Sequence, residues 1–155
     1  MIDSVLVVCE GNICRSPMAA ALLAREIAPV LVRSAGTKAL VGHRADPVAV
    51  ELMAARGVDI RGHRATQLES WLATKSDLIL AMDAEQKRFI ERRIPSLHGR
   101  VFRLGDVMQD ESATLDGFDV PDPYRRGRDA FMESLKHIDE GVSMWARRVE
   151  AMRGR

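Results

Sequence analysis

Apolar positions along the chain form short unbroken runs that alternate with longer stretches of helical spacing. The runs are rich in aliphatic residues and predict buried strands at Ser4–Cys9, Leu31–Ser34, Asp77–Met82 and Arg100–Leu104. The intervening stretches predict helices at Ser16–Ile27, Asp46–Arg56, Thr66–Ala73, Ala84–Arg93 and Arg128–Met152. Residues 105–123, rich in Asp and Gly, predict a long loop. Strands that alternate with helices predict an α/β fold whose parallel sheet is covered on both faces.

Two of the predicted helices start with residues that are preferred at N-terminal caps. Ser16 and Asp46 are each followed by a proline, which is favoured at the first helical position. Ser16 is therefore predicted to cap the first helix and Asp46 the second. Gly57 follows the second helix, where a glycine commonly ends one.

The segment Cys9–Pro17 joins the first strand to the first helix, and the rest of the chain is organised around it. Backbone N–H groups at a helix start have no partners within the helix, and the helix dipole adds positive potential there. In parallel sheets, ligands bind beyond the carboxyl ends of the strands. The segment is therefore a candidate anion site before any side chain is considered.

The side chains of this segment indicate what happens to the anion. Cys9 lies at the strand end, where N–H groups and a nearby guanidinium favour the thiolate. Arg15 can hold two oxygens of a tetrahedral anion. Gly11 allows a close backbone approach, and Asn12 tolerates a left-handed backbone. The combination indicates nucleophilic attack on a phosphoryl group, and an ordinary buried cysteine at a strand end is the competing interpretation of Cys9.

The sequence of Cys9–Pro17, Cys-Glu-Gly-Asn-Ile-Cys-Arg-Ser-Pro, resembles the signature of the low-molecular-weight protein tyrosine phosphatases. Asp122-Pro123-Tyr124 resembles the second signature of that family, and Ser34-Ala35-Gly36 also fits. The resemblance extends over nearly the whole chain. Residues 39–42 and 45–47 are similar to the bacterial members that accompany tyrosine kinases of capsule and exopolysaccharide synthesis.

The resemblance implies both a fold and a mechanism. The fold is a three-layer sandwich with a four-stranded parallel sheet and helices on both faces, termed phosphotyrosine protein phosphatase I-like. Cys9 would be the nucleophile that forms a cysteinyl-phosphate, Arg15 would bind phosphate oxygens, and Asp122 would be the general acid and base. Asp119, three positions earlier, lacks the Pro-Tyr context and is the weaker candidate for the acid.

Further site residues follow from the resemblance. The phosphate-binding loop would contain Glu10, Gly11, Asn12, Ile13, Cys14 and Ser16. Ser34 and His63 would join Asn12 and Ser16 in a hydrogen-bond network that braces this loop. Read without the resemblance, Ser34 is a serine at a strand end and His63 a surface histidine.

The entrance to the pocket would be lined by Leu40 and Tyr124, with His43, Arg44, Arg125 and Arg126 as a basic rim. A deep entrance favours phosphotyrosine over the shorter phosphoserine. Cys14 has two open interpretations: it forms a protective disulfide with Cys9 on oxidation, or it is a small residue packed behind the loop.

Composition narrows the class further. The 155 residues are 46% hydrophobic and 29% charged, as in a soluble globular protein, and we expect one domain over residues 1–155. The net charge of +1 gives no general attraction to nucleic acid or membrane. No apolar run is long enough to span a bilayer, and no signal peptide is expected. Two cysteines in one loop do not form a disulfide framework, which favours a reduced, cytoplasmic compartment.

No metal or cofactor is expected, because the four histidines show no ligand spacing and no Gly-Lys-Ser/Thr follows Gly11. The sequence therefore predicts a monomeric protein tyrosine phosphatase that acts on a phosphotyrosine protein, with an autophosphorylated bacterial tyrosine kinase as the implied partner. A thiol-dependent arsenate reductase is a weaker alternative, since the chain has no cysteine beyond Cys9 and Cys14 to relay oxidation. A phosphotyrosine-binding module without turnover is a third alternative, and the complete set of nucleophile, arginine and acid argues against it.

Overall fold

The computed structural model describes residues 1–106 and 117–154. Its strands are β1 (Ser4–Cys9), β2 (Leu31–Gly36), β3 (Leu78–Ala81) and β4 (Val101–Arg103). Its helices are α1 (Arg15–Ile27), α2 (Pro47–Ala54), α3 (Ser70–Thr74), α4 (Ala84–Arg93) and α5 (Arg128–Arg153), with a 3-10 helix at Pro95–Leu97. Positions 107–116, the middle of the loop predicted at 105–123, lie outside the described residues.

The four strands form one parallel sheet in the order β2-β1-β3-β4. Alternate residues of β1 point to opposite faces, and each face has its own apolar core. Val5 and Val7 pack with α1, α2 and α5, whereas Leu6 and Val8 pack with α3 and α4. The fold is therefore the predicted α/β sandwich of three layers, with a four-stranded parallel sheet between two helical layers.

The strand register brings the functional segments to one edge of the sheet. Cys9, the last residue of β1, pairs with Gly36 at the end of β2. One residue before it, Val8 pairs with Ala81 at the end of β3. The loops that follow these strands therefore meet beside Cys9, at the carboxyl edge where parallel sheets bind ligands.

The prediction that Ser16 caps the first helix is wrong. The helix begins one residue earlier, at Arg15, its capping position is Cys14, and no side chain caps it. Ser16 therefore lies inside the helix, and its hydroxyl bonds to Cys9 at the end of β1 and to Asn12 in the loop instead of capping its own helix. Asp46 does cap α2 as predicted, since its carboxylate accepts a hydrogen bond from the backbone N–H of Val48.

The third helix is shorter than predicted. Residues 66–69 were expected to be helical, but the helix covers only Ser70–Thr74. Leu68 donates its backbone N–H to the carbonyl of Gly36 at 2.8 Å, which extends the chain alongside the end of β2. Leu72 of this helix is buried, whereas 63% of the surface of its neighbour Trp71 is exposed.

None of the helices within the described residues is both long enough and apolar enough to cross a membrane.

Candidate active site

A pocket of about 200 Å³ opens at the carboxyl edge of the sheet. Its walls come from the loop after β1, the loop after β2 and the segment before α5. The lining residues are Cys9, Glu10, Gly11, Ile13, Cys14, Arg15, Lys38, Leu40, Asp122 and Tyr124. Residues more than a hundred positions apart in the sequence therefore share one cavity.

Asn12 holds the loop after β1 in its shape. Its φ of 58° is left-handed, a conformation that asparagine tolerates better than most residues, and the side chain is fully buried. Its amide nitrogen donates to the hydroxyls of Ser16 at 2.7 Å and Ser34 at 3.0 Å. Its amide oxygen accepts the backbone N–H of Thr66 at 2.8 Å. These bonds tie the loop to α1, β2 and the segment before α3.

His63 also contacts Asn12, through the backbone and not the side chain of that residue. Its Nε2 lies 2.7 Å from the backbone carbonyl of Asn12, and because a carbonyl can only accept, Nε2 carries the proton. Burial lowers the pKa of His63 below its usual 6.5, and the bond to Asn12 offsets this only in part. At neutral pH the imidazole is therefore uncharged and still able to donate.

The sulfur of Cys9 faces two possible donors. The backbone N–H of Asn12 lies 3.3 Å from Sγ, and the Ser16 hydroxyl lies 2.9 Å from it. Since the Ser16 oxygen already accepts a hydrogen bond from Asn12, its own proton is free to point at the sulfur. Both contacts stabilise negative charge on Cys9, which is 2% exposed.

Arg15 is almost completely buried, with 3% of its surface exposed, and it connects three segments. Its Nη1 donates to the backbone carbonyl of Val120 at 3.0 Å and lies 3.5 Å from a carboxylate oxygen of Asp83. Its Nη2 lies 3.8 Å from Oδ2 of Asp122. The guanidinium is therefore held, in the pocket that Cys9 also lines, by the segment after β3 and the segment before α5.

Asp122 and Asp119 are placed differently. Asp122 lines the pocket, and its Oδ1 accepts the backbone N–H of Tyr124 at 3.1 Å. Asp119 does not line the pocket. Its Oδ1 accepts hydrogen bonds from Arg103 at 2.9 Å and from the backbone of Ala84 at 3.1 Å. A carboxylate that already has these two donors is poorly suited to deliver a proton to a bound substrate.

The loop after β2 runs alongside the loop after β1 and forms the second wall. The N–H groups of Thr37, Lys38 and Leu40 bond to the carbonyls of residues 9, 10 and 11 at 2.9 to 3.1 Å. Gly36 makes this approach possible, because a Cβ there would lie 2.4 Å from the carbonyl oxygen of Glu10. The wall contributes half-buried Leu40 and exposed Lys38 to the pocket.

Cys14 lies in the same pocket as Cys9 and, like it, is a free thiol. Burial, reinforced by the charge of Asp46, raises the pKa of Cys14 to about 12. This thiol is therefore protonated at neutral pH and is a poor nucleophile.

The predicted site residues divide into two groups. The proposed catalytic, entrance and most loop residues line the pocket, whereas Asn12 and Ser16 lie beneath it and are fully buried. Ser34 and His63 line a separate groove behind the loop. Reasoning from sequence missed the contacts that Asp83 and Val120 make to Arg15, and the place of Lys38 in the wall, because no local motif marks them.

Within residues 1–106 and 117–154, no group of three or more His, Cys, Asp and Glu side chains is arranged to hold a metal ion.

Comparison with known proteins gives consistent matches. Residues 4–154 match the family described as low molecular weight phosphotyrosine protein phosphatase. A protein of Ralstonia nicotianae named "Probable low molecular weight protein-tyrosine-phosphatase EpsP" is 51% identical, over 98% of this chain and 99% of its own length.

Solved structures agree with these sequence matches. The tyrosine phosphatase Wzb of Escherichia coli K30, in complex with sulphate, superposes with a TM-score of 0.87 at 36% identity, over 96% of this chain and 99% of its own. Wzb of Vibrio vulnificus, in complex with benzylphosphonate, superposes with a TM-score of 0.86 at 34% identity, over 96% of this chain and 99% of its own.

Proposed function

The chain belongs to the low molecular weight phosphotyrosine protein phosphatase family and is a protein tyrosine phosphatase, and we propose that it works through Cys9, Arg15 and Asp122. The observation that carries the proposal is that these three residues line one pocket, in which Nη2 of Arg15 lies 3.8 Å from Oδ2 of Asp122. A nucleophile, an oxyanion clamp and a proton donor are what hydrolysis of a phosphate ester requires.

In the first step, Sγ of Cys9 attacks the phosphorus and the bond to the phenolic oxygen breaks. The electron pair leaves with that oxygen, which takes the proton of Asp122. Arg15 and the backbone N–H groups of the loop stabilise the charge on the phosphate oxygens. The product is a cysteinyl-phosphate and a free tyrosine.

In the second step, Asp122 accepts a proton from water, whose oxygen attacks the phosphorus. The bond between phosphorus and sulfur breaks, and the electron pair returns to Cys9 as a thiolate. The donors from Ser16 and Asn12 stabilise this leaving group. Inorganic phosphate then dissociates, and the site is ready for another substrate.

The walls favour a phenolic phosphate. Leu40 and Tyr124 supply apolar surface at the mouth, while the phosphate-binding groups lie at the base. A phosphotyrosine ring spans that depth, and a phosphoserine side chain is shorter. Because Leu40 is aliphatic, only Tyr124 can stack its ring on the phosphotyrosine ring.

The physiological substrate we propose is an autophosphorylated tyrosine kinase of capsule or exopolysaccharide synthesis, encountered in the cytoplasm. The support is the similarity of residues 39–42 and 45–47 to that subgroup and the sequence identity to EpsP. We further propose that residues 1–155 act as one domain and as a monomer.

Leaving-group dependence tests the role of Asp122. With phenyl phosphate, Asp122→Ala is expected to lower kcat/KM about 10²- to 10⁴-fold, because the phenolate leaves without a proton. With p-nitrophenyl phosphate, whose leaving group is more acidic, the loss should be much smaller. Asp119→Ala is the matched control, and a larger effect at Asp119 than at Asp122 would reassign the acid.

Cys9→Ser tests the nucleophile. The variant is expected to lose turnover while it still binds inorganic phosphate, since Arg15 and the loop amides are unchanged. Residual activity near that of the wild type would contradict the mechanism.

A further inference from the structure

Arg125 has a backbone conformation that is unfavourable for arginine. Its φ is 59°. Among the described residues other than glycine, only Asn12 and Arg125 have a positive φ. Arg125 is the third residue of a turn closed by the N–H of Arg126 and the carbonyl of Pro123 at 3.0 Å. Glycine or asparagine is usual at this turn position when φ is positive.

Asn12 and Arg125 differ in the side-chain contacts that offset the cost of their left-handed backbone. The side chain of Asn12 is held by three hydrogen bonds within the fold. The side chain of Arg125 is exposed and contacts the ring of Tyr124, whose centroid lies 5.0 Å from the guanidinium carbon. Since the turn itself favours glycine, the reason for arginine lies in what its side chain does outside the turn.

The position of that side chain is at the mouth of the active-site pocket. Tyr124 lines the pocket, and Arg125 packs against its ring. Within the described part of the chain, Arg125 has no carboxylate partner, so its charge is left for another molecule. Lys38 also lines this pocket and is exposed, so a second cation lies near the carboxyl groups of Glu10 and Asp122 that line it.

We propose that Arg125 is a specificity-determining residue that binds an acidic side chain next to the phosphotyrosine of a protein substrate. The proposal rests on the proposed function of this site. A guanidinium stacked on an aromatic ring keeps its edge free to donate to a carboxylate, and the stack limits the conformations available to both side chains. The strained turn aims Tyr124 and Arg125 at the same substrate, one at the phosphotyrosine ring and the other at its neighbour.

The test compares two phosphotyrosine peptides that differ only in Glu or Gln at the positions flanking the phosphotyrosine. The measured quantity is the ratio of kcat/KM for the Glu peptide to that for the Gln peptide. Since exposed ion pairs contribute little, we expect a wild-type ratio of about two to five at low ionic strength. The ratio should fall towards one as salt is added.

Arg125→Asn and Arg125→Asp form a matched pair, because both residues tolerate the left-handed backbone and they differ in charge. The ratio should fall in the Asn variant and drop below one in the Asp variant, while Arg125→Lys keeps most of the preference. Arg92→Ala, an exposed arginine near the far end of α4, is the control and should keep the wild-type ratio.

Two results would overturn the assignment. One is an active Arg125→Asp variant with the wild-type ratio, and the other is an equal loss on both peptides in Arg125→Asn, which would mean that Arg125 only supports Tyr124. Failure of the wild-type protein to hydrolyse either peptide would instead overturn the proposed function of the site.

Discussion

Replacing Asn12 offers a quantitative test of how the loop after β1 is held. Asn12→Ala removes three hydrogen bonds, two from the amide nitrogen to Ser16 and Ser34 and one from Thr66 to the amide oxygen. It also places alanine at a φ of 58°. Asn12→Gly removes the same three bonds but tolerates the backbone conformation, so the two variants separate hydrogen bonding from strain.

The magnitudes follow from the number of bonds. At about 1 kcal/mol of net stability for each hydrogen bond, Asn12→Gly should lower the free energy of unfolding by about 3 kcal/mol. Asn12→Ala should lower it by about 4 kcal/mol, because a left-handed alanine adds about 1 kcal/mol. Both losses fall below the total stability of about 5–15 kcal/mol for a typical domain, so the variants should still fold. Ser34→Ala, which loses one of the three bonds, should cost about 1 kcal/mol.

Urea unfolding and steady-state kinetics of the same variants provide the assay. We expect kcat for p-nitrophenyl phosphate to fall at least about tenfold in both Asn12 variants, because the Ser16 hydroxyl loses the donor that directs its proton to Cys9. Unfolding free energies within about 0.5 kcal/mol of the wild type would refute the reasoning on stability. An unchanged kcat would refute the link between the brace and the nucleophile.

Three further predictions concern groups whose charge the structure constrains. Asp83→Asn keeps a cap for α4 but removes the negative charge 3.5 Å from Arg15, so the inhibition constant of inorganic phosphate should fall about two- to fivefold; an increase would contradict this. The pKa of His63 is lowered below 6.5, so the fold loses stability as the pH falls through that lowered pKa. The stability advantage of the wild type over His63→Gln in urea unfolding should therefore shrink from pH 7 to pH 5, and a constant difference would oppose the assignment. Because the pKa of Cys14 is raised to about 12, iodoacetamide at pH 8 should label Cys9 but not Cys14 in the folded protein, with both labelled in urea; equal labelling of the folded protein would contradict it.

Features that depend on local sequence were predictable. Apolar runs located the four strands of the described residues, and helical spacing located α5, on whose buried side Phe131, Ile138 and Trp145 are almost inaccessible. The capping rule identified Asp46 correctly because that cap acts within its own helix. In each case the residues that form the feature lie only a few positions apart, so the local sequence pattern is enough to predict it.

Features that depend on distant partners were not predictable from the residues alone. Ser16 satisfies the capping rule, yet its hydroxyl is engaged with Cys9 and Asn12, so the helix starts elsewhere. The apolar spacing near Leu68 suggested a helix, but a backbone bond to Gly36 holds that segment extended. The left-handed backbone of Arg125 has no signal in the sequence, since the residue that usually marks it is glycine.

The most direct test of the central claim is to trap the covalent intermediate. The Asp122→Ala variant is mixed with p-nitrophenyl phosphate, which releases its leaving group readily, and the reaction is quenched within its first turnover. Because the variant lacks the base for the second step, mass spectrometry of the digested protein should find phosphate on the sulfur of Cys9. Release of p-nitrophenol with no phosphate on Cys9, or with phosphate on another residue, would contradict the account.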